Sequence, residues 1–199
     1  MKLHGISGCI SPQSDGMIQI PIHIATLMNL LHTVCWNEWP AAVFFCENDV
    51  VLDYGCGKGR VSFFLSHQTK AKAIGIEYDD HIYAVAQKNQ ISAQTAATFC
   101  LAKAEAYSVP QDVNRCYFFN PFSVEILHKV MARILESWYE HPREIYLFFY
   151  YPADEYISFL MTVDELEFYD EIECEDLFEG NDPRERIMIF NLPYYEIEE

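Results

Sequence analysis

The chain has 199 residues, enough for one domain with its own core; half of them are apolar and 15% are aromatic, which excludes a disordered chain. Its net charge of −17 is concentrated late: residues 164–199 carry 14 acidic and two basic residues, −12 in all, leaving −5 for everything before. Such a surface repels phosphate backbones and speaks against nucleic acid as a partner.

No stretch reads as a membrane span, because "IQIPIHIATLMNLL" is short and carries Pro21, His23 and Gln19. The N-terminus lacks the basic-then-apolar pattern of a signal peptide. Seven cysteines without a C-x-x-C or a zinc-spaced Cys/His cluster read as reduced thiols in a cytoplasm, with no metal site.

In chain order, Pro21 opens an amphipathic helix over roughly 22–36, ending near "CWNEWP". Val50–Tyr54 is an apolar run of the kind a strand buried on both faces shows. Glycines follow, then a helix from "RVSFFLSHQ". "AKAIGIEYDD" is a second strand, ending at Glu77, with Asp80 placed to cap the helix "HIYAVAQKNQ". "ATFCLAKAE" and "RCYFFN" are the third and fourth strands. Pro121 opens the helix of "FSVEILHKVMARILESW". "REIYLFFYY" is a fifth strand and "ADEYISFLM" a helix or turn. "LEFYDEIECED" and "RERIMIFNL" form an antiparallel pair joined by the turn formers of "LFEGNDP".

This alternation predicts an α/β fold: a doubly wound, mostly parallel seven-stranded sheet closed by an antiparallel edge hairpin. No repeat or linker divides the chain, so 1–199 reads as one domain, with 1–40 a helical cap contributing to an acceptor pocket and 41–199 the core.

Ligands of open α/β sheets bind beyond the carboxyl ends of the strands. The predicted strand ends carry Asp53 and the glycines, Glu77, Glu105, Asn120 with Pro121, and Tyr150 with Tyr151. Gly55, Gly57 and Gly59 give G-x-G-x-G, and Arg60 stands where a dinucleotide fingerprint wants its last glycine. The order of residues around Lys58 is not that of a P-loop. A carboxylate at Asp53 repels a pyrophosphate but accepts hydrogen bonds from an ammonium group.

"VLDYGCGKG" resembles the first motif of class I S-adenosylmethionine-dependent methyltransferases; "GIEYDD", "KAEAYSV" and "FFNPFS" resemble the next three. With "YYP" and "RERIMIF" the likeness extends over roughly residues 18–192, to a group of small bacterial methyltransferases, chiefly from Firmicutes. The resemblance implies a Rossmann-like fold and S-adenosyl-L-methionine as cofactor. Asp53, Gly55, Cys56, Gly57 and Gly59 would hold its amino-acid end, Glu77 and Tyr78 its ribose, and Ala104 and Glu105 its adenine.

Asn120, Pro121 and Phe122 would lie at the transferred methyl, Asn120 touching both cofactor and acceptor. Amino-directed members carry two prolines and an aromatic after this Asn; here Phe122 and Ser123 occupy the last two positions. Tyr150, Tyr151 and His4 are candidates for a general base. Glu175, Asp176, Glu179 and Asp182 would fringe the entrance, which suits a cationic small-molecule or protein acceptor. Two other readings stand beside this one: a module that binds the donor without turnover, and a dinucleotide-dependent oxidoreductase. Neither the acceptor atom nor the oligomeric state is written in the sequence.

Overall fold

The computed structural model describes residues 44–93, 95–175, 180 and 182–194. The expected helix over 22–36, the cap over 1–40, His4, Asp176 and Glu179 lie outside them.

Seven strands form one sheet: β1 Val50–Tyr54, β2 Lys72–Glu77, β3 Thr98–Leu101, β4 Arg115–Phe119, β5 Ile145–Tyr150, β6 Glu167–Glu173 and β7 Arg186–Leu192. Between them run α1 Arg60–Thr69, α2 Asp80–Ala93, α3 Val124–Glu140 and α4 Asp154–Leu160. The spatial order is β3-β2-β1-β4-β5-β7-β6. The order reverses between β1 and β4, which pair in parallel from Val51↔Arg115 to Tyr54↔Phe118. That reversal opens a crevice at the strands' carboxyl ends.

The expected antiparallel hairpin closes the sheet. β7 inserts between β5 and β6 and is antiparallel to both, so the edge strand is β6, oriented like β5. Burial explains the choice: β7 reads "RIMIFNL" and is buried from Ile187 to Leu192, whereas the acidic β6 is exposed almost throughout. A strand carrying that many carboxylates is stable only at an edge.

Each sheet face has its own core. On one, Leu52, Tyr54, Cys116, Phe118, Leu147 and Phe149 pack under α3. That helix buries Leu127, Val130, Met131 and Ile134, a spacing of three and four that keeps them on one side. Three rings from neighbouring strands stack here, Tyr54 on Phe118 at 4.8 Å and Phe118 on Phe149 at 4.5 Å between centroids. On the opposite face, Val51, Tyr117, Phe148, Tyr150 and Ile189 meet Phe64 and Leu65 of α1, with Phe45 joining them.

Three expected boundaries shift for local reasons. Asp79, not Asp80, caps α2, its Oδ1 accepting the Ile82 N–H at 2.9 Å. Pro121 lies ahead of α3 rather than opening it, since Ser123 is the N-cap. β3 stops at Leu101, which moves Glu105 off the strand onto a single 3-10 turn, Ala104–Ala106.

Candidate functional site

The crevice is built from the loop between β1 and α1. Gly55, Gly57 and Gly59 have φ of 69°, 57° and 81°, a left-handed region that costs other residues about 1–2 kcal/mol each. The Gly55 and Cys56 amides both donate to the Ile76 carbonyl at 3.0 Å, which turns the loop back over β2.

The three glycines serve different ends. A Cβ on Gly55 would lie 2.5 Å from the Cβ of Pro121, so the bare backbone admits the β4 loop. A Cβ on Gly59 would strike Phe99 and Phe63 at 2.5–2.9 Å, making that glycine a packing requirement. At Gly57 a Cβ would meet nothing within 4 Å among the described residues. Neighbouring protein atoms do not demand a glycine there. Its backbone borders open space at the switch point, a cradle that a side chain would fill.

Glu77 closes the cradle. Its carboxylate is 6% exposed; Oε2 accepts the Gly57 N–H at 3.1 Å, and Oε1 accepts the N–H groups of Tyr78 and Asp79 at 2.9 Å. The second strand's terminal acid thus touches the glycine loop. The Tyr78 side chain is 74% exposed beside it.

Asp53 lies beneath the loop, 3% exposed, and Ser62 in α1 donates its hydroxyl to Oδ2 at 2.6 Å. Burial raises its carboxyl to about 6; the Ser62 hydrogen bonds oppose that rise and the Glu77 charge adds to it. A buried carboxylate so destabilised is relieved by a cation. The Cys56 thiol is pushed far up, first by burial and then by the Asp53 and Glu77 charges, so it stays protonated and unreactive.

Across the crevice, Ala104 is buried and Glu105 half-buried. Asn120 follows β4 with φ of 41°, exposed at the rim. Phe122 turns inward: its ring packs edge-on to Phe118 at 6.3 Å, and its carbonyl accepts the Tyr156 hydroxyl. The structure therefore gathers Asp53, the glycines, Cys56 and Glu77 into one contact network, brings Pro121 against Gly55, and leaves Phe122 at the core's margin.

The acids and phenols of the far rim are engaged with one another. Tyr150 donates its hydroxyl to Glu185 at 2.5 Å and Tyr151 donates to Asp182 at 2.6 Å. Burial, then the bond to Glu185, raises the Tyr150 phenol far above 10; the Asp182 bond raises that of Tyr151. Both stay protonated at neutral pH, which removes them as general bases. Asp182 is paired with Arg184 at 2.9 Å and its carboxyl lies well below the usual range, so it brings no uncompensated charge to the entrance.

Three contributors escaped the sequence reading. Gly75 in β2 leaves room for Cys56 and Phe99, which its Cβ would meet at 2.7 Å; an isolated glycine inside a strand was the available signal. Ser62 bore no mark in the sequence. Phe119 did: a large aromatic beside Asn120, 47% exposed.

The residues present fit an aminoacyl nucleoside: an open glycine cradle, a buried acid short of a cation, and an acid at the second strand's end. Residues 51–143 match the family model described as a methyltransferase domain. None of the curated proteins compared with the chain matches it by sequence.

Among solved structures the fold is similar to phosphoethanolamine N-methyltransferase 1 of Haemonchus contortus, with a TM-score of 0.54 or better for it and two others. For that enzyme the TM-score is 0.63 and the identity 12%, over 90% of this chain and 44% of that one. An rRNA methylase of Streptococcus thermophilus gives 0.54 and 13%, over 91% and 100%. A dimethyladenosine transferase of Plasmodium falciparum gives 0.54 and 16%, over 84% and 62%. The chain thus spans less than two thirds of the first and third of these, and at such identities the likeness is one of fold. Residues 51–143 thus match a methyltransferase-domain model, and the solved structures share the fold.

Proposed function

We propose that the chain transfers a methyl group from S-adenosylmethionine to a small-molecule or protein nucleophile, with an amine as the favoured acceptor. The observation that carries this reading is the Glu77 carboxylate held 3.1 Å from the amide of Gly57, beside the open cradle, at the sheet's switch point. The likeness of motifs one to four to those of the small bacterial group supports it.

When bound, the cofactor supplies an electrophilic methyl on a sulfonium, already a good leaving group, so the protein's task is alignment. The buried Asp53 receives the cofactor's ammonium, relieving its own desolvation. Glu77 accepts the ribose hydroxyls through charge-assisted hydrogen bonds of about 1.5–3 kcal/mol. Gly55, Cys56, Gly57 and Gly59 keep the backbone bare beside the aminoacyl end. Ala104 and Glu105 border the adenine, and Tyr78 flanks the ribose. Asn120, held in its left-handed conformation ahead of Pro121, presents its amide oxygen to an N–H of the acceptor. Phe122 supports this loop from below.

The net charge of −17 favours a cationic acceptor over a polynucleotide. The rRNA methylase shares only the fold, so RNA belongs in the test. Purified protein would be incubated with methyl-labelled S-adenosylmethionine and three acceptor pools: small amines, lysine-rich peptides and total RNA. Label is expected in an amine or peptide pool. Label in RNA alone would overturn the acceptor class. Tight donor binding without label in any pool would favour a non-catalytic binding module.

A further inference from the structure

Two residues at the carboxyl edge of the sheet hold backbones that their side chains oppose. Asn120 has φ of 41° and Tyr151 φ of 52°, and each is followed by a proline. A residue before proline is driven toward extended conformations, which compounds the cost of a positive φ. Asn tolerates the left-handed region but a bulky aromatic does not, so Tyr151 is the outlier. The two are neighbours. β4 and β5 pair in parallel with Phe119 opposite Tyr150, so Asn120 and Tyr151 are the next residue on each strand.

Tyr151 is braced in this conformation. Its N–H donates to the Arg186 carbonyl at 2.9 Å and its hydroxyl to Asp182 at 2.6 Å, while Arg184 lies 4.6 Å over its ring. Asp182 and Arg184 are themselves paired at 2.9 Å. The positive φ turns the chain off the line of β5; Pro152 follows, buried, and α4 begins at Asp154. From α4, Tyr156 donates its hydroxyl to the Phe122 carbonyl, two residues after Asn120. The turn at Tyr151 therefore sets where α4 starts, and α4 holds the loop that carries Asn120.

Backbone strain of this kind persists only where the surroundings over-determine it, and it gathers at functional sites. We propose that Tyr151 is a positioning residue for methyl transfer: its strained turn, acting through α4 and the Tyr156–Phe122 hydrogen bond, fixes the Asn120 carboxamide at the transferred methyl. This rests on the methyltransferase reading above and adds a residue to the same site. Tyr151 acts through Asn120 and touches neither donor nor acceptor, its phenol being committed to Asp182.

The test needs no acceptor. Sinefungin carries a protonated amine where the donor's methyl stands, and S-adenosylhomocysteine has nothing there. Both would be titrated into the full chain and its variants, and the ratio of the two affinities reports the contact with Asn120. Asn120→Gly keeps the positive φ and removes the carboxamide; it is expected to lower the ratio about 10-fold, the loss of a charge-assisted hydrogen bond. Tyr151→Val, whose β-branched side chain rejects the left-handed region, is expected to lower it about 5-fold or more. Tyr151→Asn tolerates that region and should stay within about 2-fold of the parent. Tyr156→Phe, which breaks the tie to the Phe122 carbonyl, should fall with Tyr151→Val. Adding Tyr151→Val to Asn120→Gly should lower the ratio no further, because both act through one contact.

A ratio that falls equally in Tyr151→Asn and Tyr151→Val, or that Tyr151→Val leaves unchanged, would overturn the proposal. So would a further fall in the double variant, or a parent-like ratio in Asn120→Gly. Should Tyr151→Val not fold, a parent-like ratio in Tyr156→Phe would overturn it equally. Failure of the parent to bind either nucleoside would instead strike the methyltransferase reading, so the two failures are distinguishable.

Discussion

On the proposed function, Asp53 serves binding at the expense of stability. Burial lifts its carboxyl from an ordinary 3.8 to about 6, so the ionised form is the disfavoured one in the folded chain. The sign follows from that. The cost is present in full above pH 6, falls as pH drops through that value, and is gone below 3.8. In the free protein it amounts to roughly 3 kcal/mol. Asp53→Asn keeps an acceptor for the Ser62 hydroxyl and removes the buried charge. Thermal melts of the free variant should therefore show it more stable than the parent at pH 7.5 and nearly equal at pH 4. Its affinity for S-adenosylmethionine should fall about 10-fold or more, the loss expected for a charge-assisted hydrogen bond. In the parent that affinity should decline as pH falls through 6. A variant less stable than the parent at pH 7.5 would show the carboxylate to be structural.

At the scale of elements, the amino ends of the strands are clasped while the carboxyl ends are left for chemistry. Asp49, 3% exposed, lies just before β1. It accepts the Cys46 amide at 2.6 Å and the Asn114 side chain at 2.8 Å, and pairs with Arg115 at 3.3 Å. The Asn114 side-chain carbonyl accepts the Val50 amide at 2.9 Å. These contacts lock β1 to β4, the two strands whose far ends open the crevice. Removing one partner of a buried pair leaves the other uncompensated, at a cost of about 3–5 kcal/mol. Asp49→Ala should lose about that much in urea unfolding, with cofactor affinity intact in the folded fraction. A loss under 1 kcal/mol would show the clasp to be incidental.

The ends of β1 and β2 were legible because their apolar runs stop abruptly at an acidic residue, in "VVLDYG" and "AIGIEY", whereas the end of β3 was not. What escaped depended on partners distant in sequence. The insertion of β7 is a competition between an apolar and an acidic strand for one interior position. The engagement of Asp182 with the Tyr151 hydroxyl joins residues 31 positions apart.

Across the molecule, burial and charge divide the labour. The central strands are buried on both faces and frame the crevice, while most of the net charge lies late in the sequence, in residues 164–199. The four motifs are separated along the chain, yet the topology returns the first and second to the same crevice and sets Pro121 of the fourth against Gly55. Among the described residues no helix is long and apolar enough to cross a membrane.

On the proposed function, a bare glycine backbone and the Glu77 carboxylate jointly hold an aminoacyl nucleoside. The most direct measurement is a calorimetric titration of S-adenosylhomocysteine, and separately of NAD, into the parent and Gly57→Ala. The parent should bind S-adenosylhomocysteine at micromolar concentrations and ignore NAD. Gly57→Ala should remain folded, because among the described residues the added Cβ meets no atom within 4 Å and the left-handed backbone adds only about 1–2 kcal/mol of strain, yet lose the nucleoside about 10-fold or more. A parent that prefers NAD, or is indifferent to S-adenosylhomocysteine at millimolar levels, would contradict it.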